Sequence, residues 1–230
     1  MRVHIAPSLM CMDLSLFREQ LTFLDSRADF LHIDIMDGHY VPNLTLSPFF
    51  MKAVKKVTDV PMDAHLMVTD PAFWVPALAE AGAAYITPHA EVINAHAFRT
   101  IEMIRAHGCK PGMAINPATP LSTVEPYLHR LDKLTIMTVD PGYAAQPFIP
   151  EVIEKIESAR DFRTRKGLNF LIEIDGSCNR KTYARMVNAG ADVLVLGTTG
   201  LFHMADTIET AWDVMDREIK GELPDATLRV

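Results

Sequence analysis

Segments typical of β-strands alternate with segments of helical periodicity along the whole chain, and this alternation limits the possible folds more than any other feature. Short apolar segments rich in β-branched residues predict strands at 3–8, 30–35, 61–67, 85–87, 110–115, 133–137, 169–174 and 193–196. Segments with helical spacing of apolar residues predict helices at 14–25, 71–81, 95–107, 150–166, 181–189 and 205–220. Strands that alternate with helices in this way indicate an α/β fold with a parallel sheet.

The number of these strand–helix units favours a closed barrel. Eight units in 230 residues fit a (β/α)8 TIM barrel, and a doubly wound open sheet is the main alternative. We prefer the barrel because unusual polar residues recur just after the strands from one end of the chain to the other. Since no linker or charged run divides the sequence, we predict a single domain over 1–230, with a flexible C-terminal tail at 223–230.

Composition argues against several classes of partner and location. A formal charge of −7 disfavours a nucleic-acid or membrane surface, although backbone N–H groups can still bind an anionic metabolite. The three cysteines, Cys11, Cys109 and Cys178, lack the paired spacing of a disulfide framework or a zinc ribbon. The sequence shows neither a signal-peptide pattern nor an apolar segment of membrane-spanning length, so we expect a cytoplasmic protein.

The second predicted strand carries the most unusual polar pair. His32 and Asp34 alternate with apolar residues, and side chains two apart on a strand share a face. A buried histidine and carboxylate are either hydrogen-bonded to each other or bind a cation. The carboxyl ends of barrel strands meet at one rim, so His65 and Asp175 would join them there. Two histidines and two carboxylates suit one divalent ion, and the sequence does not choose among Zn²⁺, Mn²⁺, Co²⁺, Fe²⁺ and Mg²⁺.

The same rim offers an acid/base pair. Asp34 and Asp175 belong to strands three steps apart around a barrel, so we expect them to reach a central ligand from opposite sides. Such a pair suits removal of a proton from one face of a carbon and delivery to the other face. A metal that polarises an adjacent carbonyl would stabilise the enediolate between the two steps. Asp37 lies near this rim, and we expect its side chain to cap a turn rather than to act in catalysis.

The last strands are followed by segments that suit phosphate. Gly176-Ser177 and Gly197-Thr198-Thr199 come where barrels often bind phosphate, with tight turns as the structural alternative. The loop after the sixth strand, with Gly142, Tyr143, Ala144 and Ala145, can add backbone N–H groups. Met36, Met67 and Met137 at strand ends are ordinary core residues or an apolar cover over the intermediate. The other strand ends carry Ser8, Asn116, and His89 with Glu91.

These residues resemble the ribulose-phosphate 3-epimerase family over nearly the whole chain. The matching segments are Ala6-Pro-Ser-Leu9, His32-Ile-Asp-Ile-Met-Asp-Gly-His-Tyr-Val-Pro-Asn43, His65-Leu-Met67, Asn116-Pro-Ala-Thr-Pro120, Thr138-Val-Asp-Pro-Gly142, Gln146-Pro-Phe148, Ile174-Asp-Gly176 and Ala189-Gly-Ala-Asp192. The resemblance implies a metal-dependent barrel that inverts C3 of a ketose phosphate. It assigns His32, Asp34, His65 and Asp175 to the metal, and Asp34 and Asp175 to acid/base chemistry.

The resemblance also implies the remaining roles. Ser8 and His65 would contact substrate, and Met36, Met67 and Met137 would shield the intermediate. The phosphate would be bound by 142–145, 176–177 and 197–199. We expect a sugar phosphate as the small-molecule partner and a homo-oligomer, with neither nucleic acid nor membrane as partner.

Several segments depart from the pentose-phosphate enzymes and resemble a hexose-phosphate branch of the family. Leu44-Thr-Leu-Ser-Pro48, Gly176-Ser-Cys-Asn179 and Gly200-Leu-Phe202 are similar to the D-allulose-6-phosphate enzymes, although Ala145 replaces a glycine even there. The sequence-based hypothesis is therefore interconversion of D-allulose 6-phosphate and D-fructose 6-phosphate, with D-ribulose 5-phosphate and D-xylulose 5-phosphate as the alternative pair.

Two other classes of function remain as alternatives. A lyase or decarboxylase acting on a sugar phosphate would usually need a lysine at a strand end, and the sequence has none at those positions. A sugar-phosphate binding protein without catalytic activity would not need the complete set of acid/base residues.

Overall fold

Eight parallel strands, each buried on both faces, form the centre of the computed structural model, which describes residues 2–229. The strands are β1 (His4–Pro7), β2 (Leu31–Met36), β3 (Met62–Met67), β4 (Ala83–Pro88), β5 (Lys110–Ile115), β6 (Lys133–Met137), β7 (Leu171–Asp175) and β8 (Val193–Leu196). They pair in the order β1-β8-β7-β6-β5-β4-β3-β2. A parallel bridge between Ser8 and His32 joins the first and last of these, so the sheet is a nearly closed (β/α)8 barrel. The predicted fold class is confirmed.

Helices cover the outside of this barrel. They are α1 (Phe17–Asp25), α2 (Pro48–Val54), α3 (Pro71–Glu80), α4 (Ala90–Ile93), α5 (Ala97–Ala106), α6 (Val152–Lys166), α7 (Tyr183–Ala189) and α8 (Ile208–Glu222). After β5 the chain forms two 3₁₀ helices, Leu121–Thr123 and Glu125–Arg130, in place of an α-helix. Pro126 near the start of the second one removes a backbone donor. Within residues 2–229, no helix combines the length and the apolar character needed to cross a bilayer.

The two faces of the strands differ in chemistry. Residues such as Ile33, Ile35 and Leu66 are fully buried beneath the helices and belong to the main hydrophobic core. The alternate positions point into the barrel and are largely polar: His32, Asp34, Asp63, His65, Thr87, Lys133, Thr135 and Glu173 are all buried. Because these side chains alternate with the apolar ones, one strand supplies both the core and the interior of the barrel.

Most differences from the predicted elements are at their ends. The segment predicted as a helix from residue 14 begins with a 3₁₀ turn at Leu14–Leu16, and the last helix begins three residues later than predicted, at Ile208. In the predicted C-terminal tail, Leu223 and Ala226 are buried and the N–H of Val3 donates to Thr227 O at 3.1 Å. Val230, the last residue of that tail, lies outside the described residues, and flexibility of the tail stays a prediction.

Candidate active site

Four side chains from three strands bring their ligand atoms together at the carboxyl end of the barrel. His65 Nδ1 lies 3.1 Å from Asp34 Oδ1 and 3.4 Å from Asp175 Oδ2. His32 Nε2 lies 3.3 Å from Asp34 Oδ1, 3.5 Å from Asp175 Oδ2 and 3.2 Å from His65 Nδ1. The register of β2 on β3 pairs Asp34 with His65, which explains why these two side chains meet. The structure thus brings together all four predicted metal ligands.

The spacing and the chemistry of these atoms fit a divalent cation. A tetrahedral ion with ligands at about 2.0–2.1 Å holds its ligand atoms about 3.3–3.4 Å apart, close to the spacing here. Two histidine nitrogens face each other at 3.2 Å. Either one of them has a proton and donates it to the other, or both point their lone pairs at a cation between them. The cluster of His32, Asp34, His65 and Asp175 could therefore hold one metal ion.

The charges of the cluster stabilise one another. Burial lowers the pKa of His32, but Asp34 and Asp175 outweigh this effect and bring the pKa well above its usual value. Burial also lowers the pKa of His65, and hydrogen bonds with Asp175 and Asp34 raise it to about 9. Burial raises the pKa of both aspartates, whereas the histidines lower it by more, so both carboxyl groups have a pKa below the usual range. The two histidines therefore stabilise the charged form of both carboxyl groups.

A second layer of buried charges lies below His32. His32 Nδ1 is 3.1 Å from Asp63 Oδ2, and Thr87 Oγ1 donates to Asp63 Oδ1 at 2.8 Å. Lys133 Nζ donates to Asp63 Oδ2 and, at 2.8 Å, to Glu173 Oε1. Sequence reasoning missed Asp63, Lys133 and Glu173. Their spacing held a signal, because Asp63 lies two residues before His65 and Glu173 two residues before Asp175, on the same strand faces.

A similar chain of contacts extends from His65 in the other direction. His65 Nε2 lies 2.8 Å from His89 Nε2, and the two rings stack at 4.9 Å between centroids. His89 Nδ1 faces Glu91 Oε2 at 3.4 Å. Burial lowers the pKa of His89 to about 4, so its ring is neutral at pH 7. His89 and Glu91 follow the fourth predicted strand in the sequence, where they had no assigned role.

A cavity opens above the four ligands, and both candidate acid/base residues line it. Asp34 reaches it from β2 and Asp175 from β7. Ser8 also lines the cavity, and its hydroxyl donates to Asp34 Oδ2 at 2.8 Å. His32 and His65 are fully buried beneath the carboxylates and are not among the lining residues. His65 therefore does not reach the cavity directly in this structure, and its contact with substrate stays a prediction.

The three predicted shielding methionines all line the cavity. Met36, Met67 and Met137 are each less than 5% exposed. Met36 and Met67 pack with Val41 in a small apolar cluster separate from the main core. They give apolar surface to the cavity that Asp34 and Asp175 also line, and shielding of an intermediate stays a prediction.

The predicted phosphate-binding residues line the same cavity. They are Gly142, Tyr143, Ala144, Ala145, Gly176, Ser177, Gly197, Thr198 and Thr199. Gly176 has a φ of +108°, and a Cβ there would lie 2.7 Å from Val139 Cγ2, so only glycine fits. Thr198 begins a single turn of π-helix, and the first N–H groups of such a turn have no partner inside it.

The loop after β6 contacts the loop after β2. Tyr143 Oη donates to Pro42 O at 2.7 Å, and Asn43 Nδ2 donates to Gly142 O at 2.8 Å. Ala145 has a φ of 60° and Ser177 a φ of 47°, both in the left-handed region that favours glycine. The side chain of Asp37 accepts hydrogen bonds from the N–H groups of His39, Tyr40 and Thr69, which confirms its predicted role in capping a turn.

Comparison with known proteins gives one consistent family. The sequence model of the ribulose-phosphate 3 epimerase family matches residues 4–202. The chain is 40% identical to the ribulose-phosphate 3-epimerase of Bacillus subtilis over 198 residues, which cover 85% of this chain and 91% of that protein. It is 42% identical to the enzyme of the same name from Mycobacterium bovis, covering 84% of each chain.

Solved structures with lower identity support the fold alone. 3-Hexulose-6-phosphate synthase aligns with a TM-score of 0.69 at 14% identity, over 96% of this chain and 99% of that one. The tryptophan synthase α-subunit of Pyrococcus furiosus aligns with a TM-score of 0.67 at 13% identity, over 97% and 98% of the two chains. Both likenesses extend over the whole barrel.

Proposed function

The chain belongs to the ribulose-phosphate 3-epimerase family and is an isomerase of the epimerase class, and we propose that it inverts C3 of a ketose phosphate with the help of one divalent metal ion. The observation that carries this proposal is the position of Asp34 and Asp175. They reach one cavity from β2 and β7 and share the ligand cluster with His32 and His65.

The two aspartates move the proton. One carboxylate removes the proton from C3 on its own side of the sugar, and the other carboxyl group, protonated beforehand, delivers a proton to the opposite side. Ser8 orients Asp34 through its hydrogen bond to Oδ2. A divalent ion bound by the four ligands supplies a positive charge that stabilises the negative charge developing on the substrate oxygens. General acid–base transfer of this kind contributes roughly 10²–10⁴-fold to the rate.

The other residues that line the cavity shield the intermediate or bind the phosphate. The methionines at 36, 67 and 137 cover the reacting carbon with apolar surface. The backbone of 142–145, 176–177 and 197–199 binds the phosphate through N–H groups, with the hydroxyls of Ser177, Thr198 and Thr199 as further donors. With the phosphate bound there, the sugar extends from the phosphate toward the ligand cluster. We expect a homo-oligomer, and sedimentation velocity measures the oligomeric state.

The first proposed substrate pair is D-ribulose 5-phosphate and D-xylulose 5-phosphate. Relatives that match most of the chain at about 40% identity have the name ribulose-phosphate 3-epimerase, which supports this alternative over the hexulose phosphate.

D-Allulose 6-phosphate is the second candidate, because two of the three segments that resemble the hexose-phosphate branch, 176–179 and 200–202, contact each other. Asn179 Nδ2 lies 3.4 Å from Thr199 Oγ1, beside the proposed phosphate site. A Cβ on Gly200 would lie 2.2 Å from Cys178 O, so the two segments pack without space between them. They therefore form one continuous surface, and its sequence departs from that of the pentose-phosphate enzymes.

One set of assays tests the reaction, the metal and the substrate. We expect exchange of the C3 hydrogen with deuterated solvent without loss of carbon, and loss of activity on chelation with recovery on adding a divalent ion. We expect the ratio of kcat/KM between the two ketose phosphates to be about 10–200-fold, since one hydroxymethyl group contributes about 1–3 kcal/mol. Preference for the hexulose phosphate would replace the first substrate pair with the second. Turnover that survives both complete metal removal and Asp34→Asn would refute the mechanism.

A further inference from the structure

His89 and Glu91 lie behind the ligand cluster, away from the cavity, and neither lines it. We propose that they form a hydrogen-bonded relay that fixes the tautomer of His65, so that His65 presents a lone pair at Nδ1 to the metal ion. Both would be positioning residues. This inference rests on the metal site of the proposed function.

The relay starts from the two nitrogens of His65. Nδ1 belongs to the ligand cluster, 3.1 Å from Asp34 Oδ1, whereas Nε2 faces His89 Nε2 at 2.8 Å. A neutral imidazole has one N–H and one lone pair, and a metal binds the lone pair. When Nδ1 binds the ion, the proton of His65 is therefore on Nε2. His89 Nε2 must then accept this proton in a hydrogen bond.

This requirement determines the tautomer of His89. With a lone pair at Nε2, its proton is on Nδ1, which points at Glu91 Oε2 at 3.4 Å. A carboxylate only accepts hydrogen bonds, so Glu91 favours this tautomer over the other. His89 Nδ1 is buried and makes no hydrogen bond in this structure, so the relay closes only when the carboxylate of Glu91 moves slightly closer to it.

Glu91 is itself held in position. The N–H of Asn116 donates to its Oε1 at 2.8 Å, and Thr119 Oγ1 donates to the same oxygen. Both donors come from the loop after β5, so one oxygen is anchored there and the other faces His89. The ring of Tyr40 lies 4.8 Å from that of His89 and limits its rotation.

The other histidine ligand, His32, contacts a carboxylate directly, without a second histidine between them. His32 Nε2 lies in the cluster, and its Nδ1 contacts Asp63 Oδ2 directly at 3.1 Å. Each ligand histidine thus leads to a carboxylate on its far side, His32 to Asp63 and His65 through His89 to Glu91. Carboxylates that orient histidine ligands in this way typically contribute 10–100-fold to metal affinity.

The informative variant is Glu91→Gln. Asn116 N–H and Thr119 require an acceptor, so the amide oxygen takes the place of Oε1 and the NH₂ group faces His89. This donor favours a lone pair at His89 Nδ1, which puts its proton on Nε2 and reverses the relay. The proton of His65 then lies on Nδ1, where it competes with the metal. We expect the Kd for Zn²⁺, measured by competition with a chromophoric chelator on the metal-free protein, to rise about 10–100-fold.

Tyr40→Phe is the matched control, because it keeps the ring against His89 and removes only the hydroxyl that accepts from Asn116 Nδ2. We expect its Kd for Zn²⁺ to stay within about twofold of the wild type, and the metal-free variants to melt as the wild type does. Nitrogen-15 NMR of the zinc-loaded wild type reads the tautomers directly and needs no variant. We expect N–H at Nε2 of His65 and at Nδ1 of His89.

The outcomes separate the relay from the metal site. One outcome is that zinc perturbs both His32 and His65 in the wild type and binds Glu91→Gln with unchanged affinity. This result overturns the relay and leaves the proposed function intact. The opposite tautomer of His89 in the zinc-loaded wild type does the same. If the wild type binds no zinc at His32 and His65, both the relay and the metal site are wrong.

Discussion

Replacing Lys133 by methionine tests how strongly the buried charges inside the barrel depend on one cation. Lys133 contacts Asp63 and lies 2.8 Å from Glu173 Oε1, and the side chains of both carboxylates are completely buried. Methionine has nearly the same length and no charge. Lys133→Met therefore leaves two carboxyl groups without their shared counter-ion in a place that water does not reach.

Breaking a buried ion pair by removing one partner costs about 3–5 kcal/mol of unfolding free energy. In a domain of 150–250 residues each kcal/mol changes Tm by about 2–4 °C, so we expect Tm to fall by about 6–20 °C. Burial already raises the pKa of Glu173 above its usual 4.5, and Lys133 opposes that effect. Without Lys133 the pKa rises further, so the variant loses stability as pH increases from about 4.5 through the raised pKa. Its deficit should be smaller at pH 5 than at pH 8.

Calorimetry or urea unfolding of the metal-free protein at both pH values measures this deficit. Lys133→Met with Glu173→Gln removes one of the two orphaned charges, and we expect it to recover part of the loss and most of the pH dependence. Lys110→Met on the adjacent strand is the control, because Lys110 is exposed and lies 3.5 Å from Tyr85 Oη, and we expect a change within about 0.5 kcal/mol. A deficit below about 1 kcal/mol, or one that does not depend on pH, would refute this reasoning.

Three further perturbations test the site. Asp175→Asn, assayed at saturating Zn²⁺, should lower kcat by about 10²–10⁴-fold, and retention of more than a tenth of the activity would contradict its acid/base role. Ala145→Gly removes left-handed strain of about 1–2 kcal/mol and adds about 0.4–1 kcal/mol of unfolded-state entropy. Urea unfolding should therefore show a stabilisation of up to about 1.5 kcal/mol, whereas a loss would mean that the φ of 60° causes no strain. Burial raises the pKa of the Cys11 thiol to about 11, so its alkylation rate should increase about tenfold per pH unit from pH 8 to 10. A plateau near pH 8 would contradict this value.

The barrel and most of its rim followed from local patterns in the sequence. Strand and helix periodicities differ, so alternating segments were recognisable without knowledge of their partners. His32 and Asp34 shared a face because they are two residues apart on a strand. Once a barrel was assumed, the strand ends had to meet, and this brought His65 and Asp175 to the same place.

Only the tertiary structure decided which buried charges pair. Asp63 and Lys133 are 70 residues apart, and Lys133 and Glu173 are 40 apart, so no local pattern joins them. Their contacts depend on strand register and on the order of strands around the barrel, as does the approach of His89 to His65. Neither Ala145 nor Ser177 favours the left-handed backbone that it adopts, and the only signal in the sequence was the glycine that Ala145 replaces in the related enzymes. A sequence shows which side chains share a strand face, whereas contacts between distant strands exist only after the barrel has closed.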